Sequence, residues 1–205
     1  MNVRDRVADE AAKLFFQKGI KSITMSDIAR HLGISKRTLY ENFKDKEELV
    51  GECVDQDLRK GESEMKSLIE ESENAIDAMM RIYGKHLSDI YNMNKSVLHD
   101  LKKYHPQQYI KVECRQKEGV EEFLPLFEKG MEQGLIRTDV NFEIVLWMLK
   151  AQFRMLLEND YLPIDKFSLK DFFEAVILNF TRGIASEKGN KVIDEFVAKL
   201  NVSHQ

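Results

Sequence analysis

Between Thr24 and Asp45 the sequence signals the start of a helix three times. Thr24 is followed by Asp27, a capping hydroxyl with a carboxylate three residues on that can reach back to the free amide. Ser35 offers the second cap, with Ile34 before it and Leu39 after it spaced as a hydrophobic staple. Asp45 with Glu48 offers the third, and Gly33 stops the first of these helices. Helices so short do not persist alone in water, because nucleation costs more than a few backbone bonds return. They must pack on one another and on a longer neighbour. Val7, Ala11, Leu14 and Phe15 supply it: an apolar stripe at i, i+4, i+7 and i+8, closed by Gly19. A helix, a turn containing glycine and a second short helix form a helix-turn-helix arrangement.

Beyond residue 60 the helices lengthen. With only 3 Pro and 10 Gly in 205 residues, long helices meet few breakers. The spacing predicts helices over 74–93, 96–104, 106–133 (with a break or kink between Gly119 and Pro125), 141–158, 168–185 and 191–200. Pro106 suits a first helical position, Gly134 a helix end, and Ser168 with Asp171 another capping box. No stretch alternates as a strand does. The expected fold is all-α: a three-helix head over residues 1–46 and a larger helical body over 47–205.

Several function classes are excluded early. No nucleophile, base and orienting group fall together, and no glycine loop could cradle a phosphate, so an enzyme is not expected. His86, His99, His105 and Cys114 match no metal-ligand spacing, and no cofactor is expected. Cys53 and Cys114 lie far apart and fit no CxxC pattern, which suits a reducing compartment. Met1 to Glu10 is charged where a secretory segment needs an apolar run. Ile144 to Leu157 is apolar except for Lys150, Gln152 and Arg154, too short and too polar to span a bilayer. The expected location is the cytoplasm, with no membrane partner.

The net charge of −4 is unevenly spread. Residues 1–50 hold 10 basic against 8 acidic side chains, and the remainder 21 against 27. A mildly basic head on an acidic body would orient the protein on a polyanion without making the whole surface adhesive.

The stretch from Lys36 to Phe43 sharpens that idea. At roughly 100° per residue, Leu39 and Phe43 fall on one side, Arg37 and Glu41 opposite, and Thr38 and Tyr40 on the flanks. The outward set suits base edges and phosphates in a major groove. Arg37 is the leading candidate for a guanine contact and Lys36 the second, while Thr38 suits a thymine methyl or a phosphate. Thr24, Ser26 and Ser35 sit at helix starts, where free amides favour a phosphate, and Tyr40 and Lys46 suit the backbone on the other side. Plainer readings stand beside these. Thr24, Ser26 and Ser35 are capping types whatever the function, and Lys36 and Arg37 also read as a solvated pair. Glu41 either accepts from a cytosine or holds Arg37.

Residues 12–50, with Ala11 before them, resemble the DNA-binding domain of the TetR family. The resemblance rests on Ala11, Leu14, Phe15, Gly19, Thr24, Asp27-Ile28-Ala29, Gly33-Ile34-Ser35-Lys36, Thr38-Leu39-Tyr40, Phe43, Lys46-Glu47 and Leu49. It implies that the second and third helices form the recognition unit and that a long fourth helix joins the head to the body. It further implies a homodimer on a palindromic or near-palindromic double-stranded operator, acting as a transcriptional repressor. In such a regulator an effector bound in the body shifts the separation of the heads. Half-sites about one helical turn or a multiple apart, roughly 34–36 Å per turn, would admit both recognition helices.

In the body, the helix over 144–157 and that over 168–185 carry apolar residues on more than one side. This fits either a four-helix dimer interface or central core helices of a monomer. Tyr104, Tyr109, Phe123, Phe127, Trp147 and Phe153 are candidate pocket residues for an apolar or aromatic small-molecule effector, although aromatics at helical spacing also build plain core.

Overall fold

A computed structural model describes the backbone of residues 2–158 and 166–202, and within these the side chains of all but residues 116–122, 157–158, 169 and 200–202. The protein is all-α. Its helices are α1 (Val3–Lys18), α2 (Met25–Leu32), α3 (Lys36–Asn42), α4 (Lys46–Glu70), α5 (Ala75–Asn92), α6 (Ser96–Tyr104), α7 (Pro106–Glu132) and α8 (Phe142–Glu158). Then come α9 (Leu169–Phe172), a π-helical stretch (Phe173–Leu178), α10 (Asn179–Ile184) and α11 (Glu187–Val202). Among the described residues the β pairing is an isolated antiparallel bridge between Ile136 and Ala185.

The chain forms two compact units, Met1–Ser63 with Met93–Lys117, and Glu64–Asn92 with Glu118–Gln205. The first unit is larger than the head expected over residues 1–46. Its apolar centre explains the difference. Val7, Ala8, Ala11, Leu14 and Phe15 of α1 meet Ile28, Ala29 and Leu32 of α2, Leu39 of α3, Phe43, and Leu49, Val50 and Cys53 of α4. Val97 and Leu101 of α6 and Tyr109 of α7 complete it. A three-helix head alone would leave part of that surface to water.

Polar contacts from the segment around α6 also fix the α1–α2 turn. The Asn94 amide donates to Phe16 O (2.9 Å) and the Lys21 amide to the buried Asp100 carboxylate (2.7 Å). Gly19 has φ +81°, and a Cβ there would collide with Ser96 Oγ. The turn therefore needs glycine for both space and backbone conformation.

The second unit packs α5 (Ile76, Met79, Met80, Tyr83, Leu87) against Leu126 and Phe127 of α7, Leu146, Leu149, Phe153 and Leu156 of α8, and Ile177, Ile184 and Ile193. Of the break or kink open between Gly119 and Pro125, a break does not occur: helix α7 runs on through Pro125. The Ser168–Asp171 capping box forms, with the Ser168 amide donating to Asp171 Oδ2 (2.7 Å) and the Asp171 amide to Ser168 Oγ (3.2 Å). The last helix starts at Glu187 rather than Lys191. Ser186 makes the earlier start, its Oγ accepting from the Gly189 amide (3.1 Å).

Candidate nucleic-acid interface

The Thr24–Asp27 box opens α2 as expected, the Thr24 amide donating to Asp27 Oδ2 (3.0 Å) and the Asp27 amide to Thr24 Oγ1 (3.2 Å). The Thr24 hydroxyl also donates to that carboxylate, and these bonds hold the Asp27 carboxyl below its ordinary pKa. Ser26 is half-buried in the first turn. Gly33 ends the helix in the left-handed region at φ +66°, its amide donating to Arg30 O (3.2 Å).

Three residues later α3 begins. Ser35 Oγ accepts from the Thr38 amide (3.0 Å) and lies 2.9 Å from the Thr38 hydroxyl, so both hydroxyls serve the cap in the free protein. Leu39 and Phe43 are wholly buried, which fixes the rotation of a seven-residue helix about its axis. Lys36, Arg37, Tyr40 and Glu41 are thereby left in solvent, with the Arg37 side chain 88% exposed and Tyr40 51% exposed. Arg37 Nε donates to Glu41 Oε1 (2.9 Å).

Lys46 departs from the expected picture. Its ammonium donates to Ile20 O (2.6 Å) and Ile23 O (2.5 Å) in the α1–α2 turn. The side chain is half-buried, and desolvation lowers its pKa. An ammonium drawn partly out of water needs acceptors, and the turn's carbonyls provide them. Two of its three donors are used inside the protein.

Arg4, which sequence reasoning passed over, joins three elements. Its guanidinium donates through Nη1 to Asn42 O at the end of α3 and through Nη2 to Glu48 Oε1 of α4 (2.8 Å). Its Cζ lies 4.2 Å from the centre of the Phe43 ring. No apolar periodicity marks such a residue.

The six aromatic residues proposed for an effector pocket are divided between the two units. Tyr104 and Tyr109 belong to the first unit, the other four to the second. Tyr104 is solvent-exposed with the Lys21 ammonium over its ring, and Tyr109 is core with its hydroxyl on Glu113 (2.9 Å). Phe127 is core against Phe142, whereas Trp147 is exposed. Phe123 and Phe153 line the same side of α5, Phe123 against Tyr83 (ring centres 5.6 Å apart) and Phe153 against His86 (4.8 Å). Tyr83 is buried, its hydroxyl has no hydrogen-bond partner among the described residues, and burial pushes its pKa up.

Residues 7–53 match the sequence profile of bacterial regulatory proteins of the tetR family. Over 184 residues the chain is 27% identical to the HTH-type transcriptional regulator YvaF of Bacillus subtilis, covering 89% of this chain and 96% of that protein. The head, over residues 7–53, is thus matched to the tetR family. The fold of the chain recurs in the TetR-family regulator PfmR of Thermus thermophilus, with a TM-score of 0.61 at 23% identity over 86% of this chain and 97% of the other. It recurs also in a TetR-family regulator of Cytophaga hutchinsonii, with a TM-score of 0.70 at 14% identity over 90% and 96%. The matched family and the Bacillus subtilis relative are transcriptional regulators. Among the described residues, no helix is long and apolar enough to cross a membrane.

Proposed function

We propose that the chain is a TetR-family DNA-binding regulator, a cytoplasmic repressor that binds a palindromic or near-palindromic operator as a homodimer and leaves it when a small molecule fills the body. One observation carries the reading: burial of Leu39 and Phe43 turns Lys36, Arg37 and Tyr40 together into solvent. In this reading Arg37 and Lys36 meet base edges, and Thr38 and Tyr40 meet the groove wall. Ser26, with the amides at the starts of α2 and α3, holds phosphates, while Thr24 and Ser35 act chiefly as caps. Lys46 sets the α1–α2 turn and offers its remaining donor to the backbone.

The dimer is supported by α8. Ile144, Trp147, Met148 and Met155 form an exposed apolar stripe opposite the buried Leu146, Leu149, Phe153 and Leu156. A stripe of that size calls for a partner surface. For the effector, Phe123 and Phe153 beside Tyr83 and His86 are the better-placed members of the aromatic set, favouring an apolar molecule with one polar group.

Selection of duplexes from a random pool, followed by footprinting, tests the reading. An enriched, two-fold-related site protected at two grooves about one turn apart is expected. Failure to enrich any sequence at moderate salt would refute it. Metabolites that release the enriched duplex then identify the effector.

A further inference from the structure

The geometry around Arg4 points to a positioning role: this side chain sets the angle at which α3 presents Lys36, Arg37 and Tyr40 to DNA. The inference rests on α3 being the groove-reading helix.

Helix α3 has seven residues and no basic residue in its last turn. A helix this short ends in carbonyls without intrahelical donors, and its C-terminal partial negative charge favours a cation. The chain supplies that cation from α1. Arg4 Nη1 donates to Asn42 O, the last carbonyl of α3, while Nη2 donates to Glu48 Oε1 (2.8 Å) and lies 3.6 Å from Glu52 Oε2 of α4. The guanidinium plane covers Phe43, the buried residue on which α3 turns into α4. Glu48 is fixed from its other side by the Lys44 amide (2.7 Å). One planar group thus ties the end of α3 to two long helices.

Arg4 lies outside residues 7–53, the part matched to the family, so that match does not assign it a role. Its side chain is 36% exposed, and its donors point into the protein. This separates it from Lys36 and Arg37, whose side chains lie out in solvent. Losing Arg4 should therefore degrade the aim of α3 without removing a phosphate contact.

The test measures the dissociation constants of the full-length protein for a duplex that wild type enriches from a random pool and for the unselected pool, over a range of salt. Wild type, Arg4→Lys and Arg4→Met are compared, with thermal melting alongside. In Arg4→Met the ratio of specific to non-specific affinity should fall about tenfold or more, with the non-specific affinity and both salt slopes nearly unchanged. Arg4→Lys keeps the charge but lacks the planar fork, and should recover part of that ratio. Equal losses on both duplexes with a shallower salt slope would instead make Arg4 a phosphate contact and overturn the proposal. An unchanged ratio with a lower melting temperature would reduce it to general fold support. If Arg4→Met does not fold, the Lys variant decides by whether its ratio falls. A wild type that enriches no sequence would remove the groove-reading role of α3 itself, and this inference with it.

Discussion

Arg37 and Glu41 stand one helical turn apart on the solvent face of α3, with Nε donating to Oε1 at 2.9 Å. Of the two roles open to Glu41, the free protein shows the one that holds Arg37. Both side chains are largely exposed, so the pair contributes only about 0–1 kcal/mol and a guanine edge can displace it readily. Arg37→Ala is expected to lose about 1–3 kcal/mol of discrimination at one base pair. Glu41→Gln removes a negative charge facing the duplex and should tighten binding to all sequences, most at low salt. Titrations of the enriched duplex and a scrambled one check both. Undiminished discrimination in Arg37→Ala would mean that another residue reads the base.

Much of the head was legible because its signals are local. Caps at Thr24, Ser35 and Asp45 and the stripes behind them depend on spacing along the chain, and each cap bond forms. The reciprocal bond of the third cap goes to the Lys44 amide rather than that of Asp45, a one-residue shift that spacing does not resolve. What stayed hidden depends on contacts distant in sequence. Lys46 reads as an exposed cation until the carbonyls of Ile20 and Ile23 are seen at its ammonium. No local pattern marks Asp100, which is buried and accepts from the Lys21 amide, 79 residues away. The aromatic set divides for a related reason. Helical spacing says that Tyr109 and Phe127 are buried, but not in which of two cores they lie.

Two glycines of the head should respond differently to alanine. Gly33 has φ +66° and open space where a methyl would stand, so Gly33→Ala costs only backbone strain, about 1–2 kcal/mol. Gly33→Asn should cost less, since asparagine tolerates the left-handed region. Gly19→Ala adds a collision with Ser96 Oγ to the strain of φ +81° and should cost more than Gly33→Ala. Urea denaturation of the three variants ranks them. A Gly19→Ala protein as stable as Gly33→Ala would show that the α1–α2 turn and Ser96 separate freely.

The two thiols should differ in reactivity. Cys53 is buried with its Sγ donating to Ala8 O (3.2 Å), and burial pushes its pKa up to about 12, whereas Cys114 is exposed. Because thiolate is the reacting form, a thiol reagent at neutral pH should label one cysteine per folded chain, and two after denaturation. The shift also sets a pH dependence. Folding favours the protonated thiol, so its contribution is fully present below the ordinary value of 9.0 and is lost as pH rises from there towards about 12. Cys53→Ser should flatten the alkaline fall in stability. Rapid labelling of Cys53 in native protein would contradict its burial.

Met148 should control assembly. It is 59% exposed, one residue from the 47%-exposed Trp147, and the two continue the stripe of Ile144 and Met155 on the face of α8 that its own core leaves uncovered. Burying such a side chain against a second subunit returns about 1.5–3 kcal/mol, whereas a carboxylate at that place must be desolvated without a partner. Met148→Glu is therefore expected to shift light-scattering mass from two chains to one while leaving the helical circular dichroism intact. Trp147 is the protein's one tryptophan, so the same event should move its emission to longer wavelength as water reaches the ring. Operator affinity should fall with the dimer, because two recognition helices joined in one particle bind with an effective concentration that a lone head lacks. A wild-type protein that scatters as a single chain at micromolar concentration, with its tryptophan already in water, would remove α8 from the interface.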